Sequence, residues 1–254
     1  MGVGPIERAV DLLARVAEES GDATVAALAS DAGLPTSTAY RLVAALERHG
    51  LVRREAGSTV SLGTRVVALG RAAEARLHEH LVAPAEPLME RLSREQGETV
   101  ILTAPCGLEA IVLHAVEADH DVRLSYAAYG RAPMHLGASG KILAAYLEAD
   151  ERERLLGAVG DPALAGTLEE IRDRGWTVTT GELDRGVSAA AAPVLDSRGR
   201  LLAGLSVAGP SERMAARGLS AYAGAVRASA IAIETAIDGR PRRVQERGRR
   251  FAVS

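Results

Sequence analysis

Several residues in this 254-residue chain have side chains that carry chemistry, and their spacing decides what they can do. Gly140-Lys141 suggests a phosphate loop, in which a glycine-rich backbone and a lysine cradle phosphoryl oxygens. That loop also needs Gly five residues before Gly140 and Ser or Thr after Lys141, where His135 and Ile142 stand. Gly186-Val187-Ser188-Ala189-Ala190 lacks the second glycine of a nucleophile elbow. Cys106 with His114 or His135 would make a thiol–imidazole pair or a metal site. A lone thiol in a turn after proline is ordinarily inert, however, and nothing in the spacing brings those rings to it. His78 and His80, two apart on one helix, face different ways and make poor joint ligands. Glu182 and Asp184 are the residue types of an acid–base pair, but Gly181 and Gly186 mark their stretch as an exposed loop. A small-molecule enzyme or metabolite-sensing module with an accessory helical domain stays as the alternative function; no cofactor or metal site is expected.

A second group suits a different chemistry. Thr36, Ser37, Thr38, Tyr40 and Arg41 open an amphipathic run whose apolar positions are Ala39, Leu42, Val43 and Leu46. Short hydroxyls at a helix N-terminus, beside free N–H groups and the positive end of the dipole, suit phosphate oxygens. An arginine there reaches a guanine edge in the major groove. Arg53 and Arg54 follow, placed for backbone or minor-groove contacts. The plainer reading is that the hydroxyls cap a helix and the arginines solvate a surface. Charge distribution bears on the choice. Residues 1–80 hold nine arginines against ten acids, a net −1, whereas residues 34–65 hold five arginines against Glu47 and Glu55, a net +3. A single copy with so few phosphate contacts would bind weakly, so a DNA-binding reading requires a dimer.

The elements that would carry these residues follow from periodicity. Ile6, Ala9, Val10, Leu13, Ala14, Val16 and Ala17 recur at helical spacing, and Ser20-Gly21-Asp22 ends that helix. Thr24 caps a second helix that ends at Gly33, and Leu34-Pro35 opens a third that stops at His49-Gly50. Two β-capable runs, 51–54 and 59–62, join through Gly57-Ser58. Three short helices and a hairpin, with the tight turn Asp31-Ala32-Gly33-Leu34, make the order of a winged helix-turn-helix. Residues 64–80 read as one helix with a narrow stripe of Val66, Leu69, Ala73 and Leu77, suited to a seam between two copies or to packing on the chain's own second domain.

From about residue 81 the pattern changes. A helix with Leu88, Met89 and Leu92 closes at Gly97. Runs 99–103, 108–114 and 122–126 read as strands, the first two around Pro105-Cys106-Gly107. Helices are expected over 139–147, 150–156 and 164–174. Strands follow over 176–180, 188–195 and 201–207, with a hairpin turn at Asp196-Ser197-Arg198-Gly199, and one helix spans 211–237. Antiparallel strands flanked by helices give an α+β domain. The expected organisation is a DNA-binding domain over 1–63, a linker helix over 64–80, a second domain over 81–239 and a basic tail over 240–254.

Composition narrows the class. Thirty basic against 33 acidic residues leave a net charge of −3, which excludes a polycation acting through charge alone. With 47% hydrophobic and 25% charged residues the chain is globular in composition, and one cysteine cannot form an intramolecular disulfide. Aromatics are scarce at 3%, which argues against rows of base-stacking rings. The first residues lack the pattern of a signal peptide, and no apolar stretch approaches the roughly 20 residues of a membrane span. A cytoplasmic protein is expected.

The N-terminal region, above all Gly33-Leu34-Pro35-Thr36-Ser37-Thr38-Ala39-Tyr40-Arg41-Leu42 and Leu46-x-x-x-Gly50-Leu51-Val52, resembles the DNA-binding domain of the IclR family of bacterial transcription regulators. The resemblance continues through His135-x-x-Ala138-Ser139-Gly140-Lys141, Arg174-Gly175-Trp176, Glu182-x-x-x-Gly186, Ala191-Ala192-Pro193-Val194 and Ser206-Val207-Ala208-Gly209-Pro210, covering about residues 5–238. It implies that the second domain is GAF-like and binds a small effector, an organic acid or an aromatic compound. It also implies a homodimer or dimer of dimers on a palindromic double-stranded operator, with repression as the family's habit. In the implied pocket, Gly137 and Ala138 offer backbone N–H groups, and Ser206 a hydroxyl. Thr179, Ala189 and Ala208 stand where carboxylate-binding relatives tend to carry polar or thiol side chains, and Tyr126 and Met134 supply apolar walls. The two alanines make room for a bulkier ligand than a two- or three-carbon acid, although in an alanine-rich chain they equally suit close sheet–helix packing.

Overall fold

Leu12 and Val16, four residues apart on α1 (Pro5–Glu18), are buried together, as helical periodicity requires. They meet the buried Val25, Leu28 and Ala29 of α2 (Val25–Asp31) and Ala39, Val43 and Leu46 of α3 (Thr36–Arg48) in one small core. The Thr24 side chain accepts a hydrogen bond from the Ala27 N–H at 3.1 Å and caps α2. Strands β1 (Val52–Arg54) and β2 (Val60–Leu62) pair antiparallel, Val52 opposite Leu62, and bury Val52 and Val60 under the helices. The computed structural model describes residues 4–18, 23–55 and 59–238. The expected helix end at Ser20-Gly21-Asp22, the expected turn at Gly57-Ser58 and the basic tail over 240–254 lie outside the described residues.

The described chain forms two compact units, the first within residues 1–77 and the second beginning at His78. Helix α4 (Thr64–Leu77) has no buried residue, and Val67 and Leu69 are 58% and 57% exposed. A π-helical stretch, His78–Val82, comes between α4 and α5 (Ala83–Gln96). Pro84 and Pro87 lack the N–H groups that would bond the carbonyls four residues earlier, which loosens the regular ladder there.

The second unit is α+β, built on a six-stranded antiparallel sheet in the order β5-β4-β3-β8-β7-β6. Its strands are β3 (Thr99–Cys106), β4 (Glu109–Val116), β5 (Arg131–Pro133), β6 (Thr177–Thr180), β7 (Val187–Leu195) and β8 (Leu201–Pro210). Side chains alternate between two faces. Val100, Leu102, Ala190, Ala192, Leu205 and Val207 share one core with α5 and α10 (Leu219–Asp238). Helices α6 (Gly137–Tyr146) and α8 (Pro162–Arg174) share a second core with Ala191 on the opposite face; Ile101, Ala189 and Ala208 also lie on that face, in a smaller cluster with Tyr126. Helix α7 (Ala149–Val159) contributes Leu155 to the α6–α8 core.

Two expectations are corrected. Residues 122–126 form no strand: their alternation satisfies the sequence pattern, but the edge beside β4 is taken by β5, with Ile111 opposite Arg131. The expected helix over 211–237 is two helices, α9 (Ser211–Arg217) and α10, because Gly218 at φ 89° leaves the helical region between them.

Candidate functional site

Pro35 is the N-cap of α3 and provides no side-chain cap. The hydroxyls of Thr36, Ser37 and Thr38 therefore do not serve as the cap, and no hydrogen bond engages them among the described residues. Thr36, Ser37, Tyr40 and Arg41 are exposed and Thr38 is half-buried, opposite the buried Ala39, Val43 and Leu46. Ser37, Arg41, Ala44 and Arg48 recur at steps of four, three and four, so they share one outward face. Neither Arg41 nor Arg48 has an ion-pair partner among the described residues.

The wing arginines behave otherwise. Arg53 is 2.7 Å from the Glu55 carboxylate, which also accepts from the Ser61 hydroxyl at 2.9 Å. Arg54 is 2.6 Å from the Glu47 carboxylate, and its own backbone N–H donates to the same group at 3.2 Å. The Arg54 guanidinium and backbone N–H hold the Glu47 carboxyl below its ordinary range; hydrogen bonds from Arg53 and Ser61 do the same for Glu55. Both acids of the 34–65 segment are thus neutralised locally, and its net positive charge rests on Arg41, Arg48 and Arg65. Arg65 donates to the His49 carbonyl at 2.9 Å, across the C-terminus of α3.

In the second unit the face of the sheet toward α6 encloses a cavity of about 310 Å³. Six of the eight expected pocket residues line it together: Tyr126, Gly137, Ala138, Thr179, Ala189 and Ala208. Tyr126 is half-buried, and burial, with the Asp184 carboxylate nearby, pushes its phenol up, so it faces the cavity neutral. Met134 and Ser206 are both fully buried and line no part of it. Met134 sits in the core under α6, and the Ser206 hydroxyl accepts from Ser139 at 2.8 Å. Ser139, one residue past the expected backbone donors, is the serine at the wall.

The motif around Gly140 now has a physical account. A Cβ at Gly140 would stand 2.6 Å from the Met134 carbonyl oxygen, so only glycine lets α6 lie against the residues that precede it. Gly137, at φ 69°, donates its N–H to Glu182 Oε2 at 3.2 Å, and Lys141 Nζ is 2.7 Å from the same oxygen. The stretch holding Glu182 and Asp184 is an exposed loop, as Gly181 and Gly186 suggest, and Glu182, Leu183 and Asp184 also line the cavity, which the sequence does not reveal. Their signal was the Glu182-x-x-x-Gly186 spacing, which gives no hint of what the carboxylate meets. Cys106 is an exposed free thiol, and among the described residues no three His, Cys, Asp or Glu side chains converge on a metal position. No described helix is long and apolar enough to cross a membrane.

Comparison with known proteins decides the family. Residues 5–56 match the IclR helix-turn-helix domain, and residues 74–235 match the family described as bacterial transcriptional regulator IclR C-terminal. The chain belongs to the IclR family. Among relatives in that family, the HTH-type transcriptional regulator KipR of Bacillus subtilis is 31% identical over 73% of this chain and 78% of its own length. The transcriptional repressor IclR of Escherichia coli is 30% identical over 84% of this chain and 82% of its own. An IclR-family regulator from Brucella abortus shares the fold with a TM-score of 0.77 at 22% identity, covering 93% of each chain. Pseudomonas aeruginosa HmgR is 29% identical with a TM-score of 0.56, covering 90% of this chain and 96% of that one. IclR-family proteins regulate transcription through a helix-turn-helix domain and an effector-binding domain; the enzyme alternative finds no support among them.

Proposed function

We propose that this chain is a cytoplasmic repressor of a catabolic or metabolic operon, in which paired copies hold a near-palindromic operator through α3 and a small effector in the second unit releases or remodels the complex. The observation that carries the DNA-binding half is the free outward face of α3. Thr36, Ser37 and Arg41 are exposed with side chains that engage nothing within the described residues. Tyr40 is exposed and interacts electrostatically with Arg54, and the start of the helix is where N–H groups and the dipole favour phosphate. Arg53 and Arg54 act in this reading first as braces of the wing, with any DNA contact made from those braced positions. Dimerisation is supported by α4, none of whose residues is fully buried among the described residues and whose Val67 and Leu69 stand exposed, which suits a seam with a second copy. Repression is supported by relatives that carry that description, among them the IclR of Escherichia coli and the AllR of Salmonella typhimurium.

The cavity supports the effector half. At about 310 Å³ with Ile101, Val112, Ala189 and Ala208 in its walls, it has the size and apolar lining of a site for a ring-sized ligand, at the lower end of the roughly 300–1,000 Å³ typical of such sites. For control, the effector must bind the DNA-competent and incompetent arrangements with different affinity. A gel shift on the DNA upstream of the protein's own gene tests this reading. Salt-dependent retention that an aromatic acid reverses is expected, and no retention at any salt concentration would contradict it.

A further inference from the structure

The connection between β6 and β7, residues 181–186, forms one wall of the cavity beside the first turn of α6. Glu182 anchors it there. Its Oε2 accepts the Gly137 N–H at 3.2 Å, and its two oxygens lie 2.8 and 2.7 Å from Lys141 Nζ. The Gly137 amide and the Lys141 ammonium, four residues apart, converge on this one carboxylate and together make a seat for it. Lys141 is the only lysine among the 30 basic residues, and its side chain is only 17% exposed, so the ammonium is held in place rather than waving in solvent. The Gly137 N–H, one of the donors expected to serve a ligand, is taken by the chain itself.

Resting on the reading of the cavity as the effector site, we propose that Glu182 is a resident competitor that sets which ligand the cavity accepts. A ligand carboxylate on an apolar body displaces Glu182 from the Gly137 N–H and Lys141 Nζ, and the 181–186 connection moves out with it. Two charged carboxylates on one ammonium repel, which disfavours both staying seated there. Asp184, also in the lining, repels either carboxylate and so bears on both sides of the exchange. Glu182 is already 32% exposed, which makes its return to water inexpensive. The apolar body of the ligand supplies the free energy for the exchange by covering Ile101, Val112, Ala189 and Ala208; a two- or three-carbon acid has no such body. A neutral ligand with the same body fills the cavity and leaves Glu182 seated. The moving segment ends at Gly186, whose carbonyl accepts the Ser211 N–H at 2.8 Å, so displacement reaches the start of α9.

The test is calorimetric titration of the full chain with benzoate and phenylacetate, and with their neutral counterparts benzamide and phenylacetamide. The readout is the ratio of carboxylate to carboxamide affinity, which is insensitive to a general loss of folded protein. Glu182→Gln keeps the size of the side chain and removes its charge, and is expected to raise that ratio by about tenfold or more. Adding Lys141→Met is expected to cancel the gain. An unchanged or lowered ratio in Glu182→Gln, with the amides still binding and Ala189→Trp abolishing their binding, overturns the exchange while leaving the cavity as the effector site. Failure of all four compounds to bind either protein overturns both.

Discussion

The Arg54 guanidinium lies 2.6 Å from the Glu47 carboxylate, joining wing strand β1 to the last turns of α3. The bond ties α3 to the wing strand, and in the proposed reading it sets the angle between the helix offered to the major groove and the wing beside it. Glu47→Gln and Arg54→Ala are each expected to lower operator affinity severalfold, and the double variant to lose much less than the sum of the two, because both changes break the same guanidinium–carboxylate pair. Fluorescence anisotropy with a labelled promoter fragment measures all three.

Acid should loosen the same bond. The Glu47 carboxyl is held below its ordinary range by the Arg54 guanidinium and N–H. A depressed value in the folded state means that its stabilising contribution is complete above the unfolded carboxylate range and is lost as pH falls through the folded value. Thermal melting of the DNA-binding unit is therefore expected to fall off below about pH 4, the unperturbed glutamate range, and Glu47→Gln to flatten that part of the profile.

The second unit has its own critical pair. Glu98 is 1% exposed and is held by two hydrogen bonds of 2.6 Å from Arg213, while a Cβ on Gly209 would overlap its carboxylate. Arg213→Met leaves a buried carboxylate without a counter-charge and is expected to cost about 3 kcal/mol, the lower end of such losses because the guanidinium is partly exposed. Replacing Glu98 as well, with Gln, should recover much of the loss. Urea unfolding of the three proteins reads both effects.

Gly140→Ala tests the seating of α6. The added methyl meets the Met134 carbonyl, and α6 must shift to relieve it. A loss of about 1–3 kcal/mol is expected from such overpacking, together with weaker binding of ligands in the cavity it lines. Thermal shift with and without benzoate separates the two.

Much of the fold was legible because the signals were local. The Thr24 cap, the turn at Gly33 and the apolar face of Ala39, Val43 and Leu46 each lie within a few residues of what they specify. The missing strand over 122–126 shows the limit: alternation describes a residue pattern, but which segment takes an edge of the sheet depends on β5, several residues further on. The site was half legible for the same reason. Thr179, Ala189 and Ala208 lie opposite one another across β6, β7 and β8, a row that strand register makes. Ser206 lies two residues from Ala208 on the same side, yet α6 covers it and Ser139 takes its place. Nor does any local pattern reveal that Arg54 reaches back seven residues to Glu47, or that Glu182 crosses 45 residues to Gly137.

Arg41 stands outward from α3 with no ion-pair partner among the described residues, and the DNA-binding proposal rests on it most. Anisotropy titrations of the wild-type chain and Arg41→Ala against the upstream fragment, from low to physiological salt, address it directly. Arg41→Ala is expected to bind about tenfold to a hundredfold more weakly at physiological salt, with its melting temperature nearly unchanged and a shallower salt dependence if the arginine meets phosphate. Equal affinity of the two proteins at every salt concentration would contradict the assignment of α3 as the DNA-reading helix.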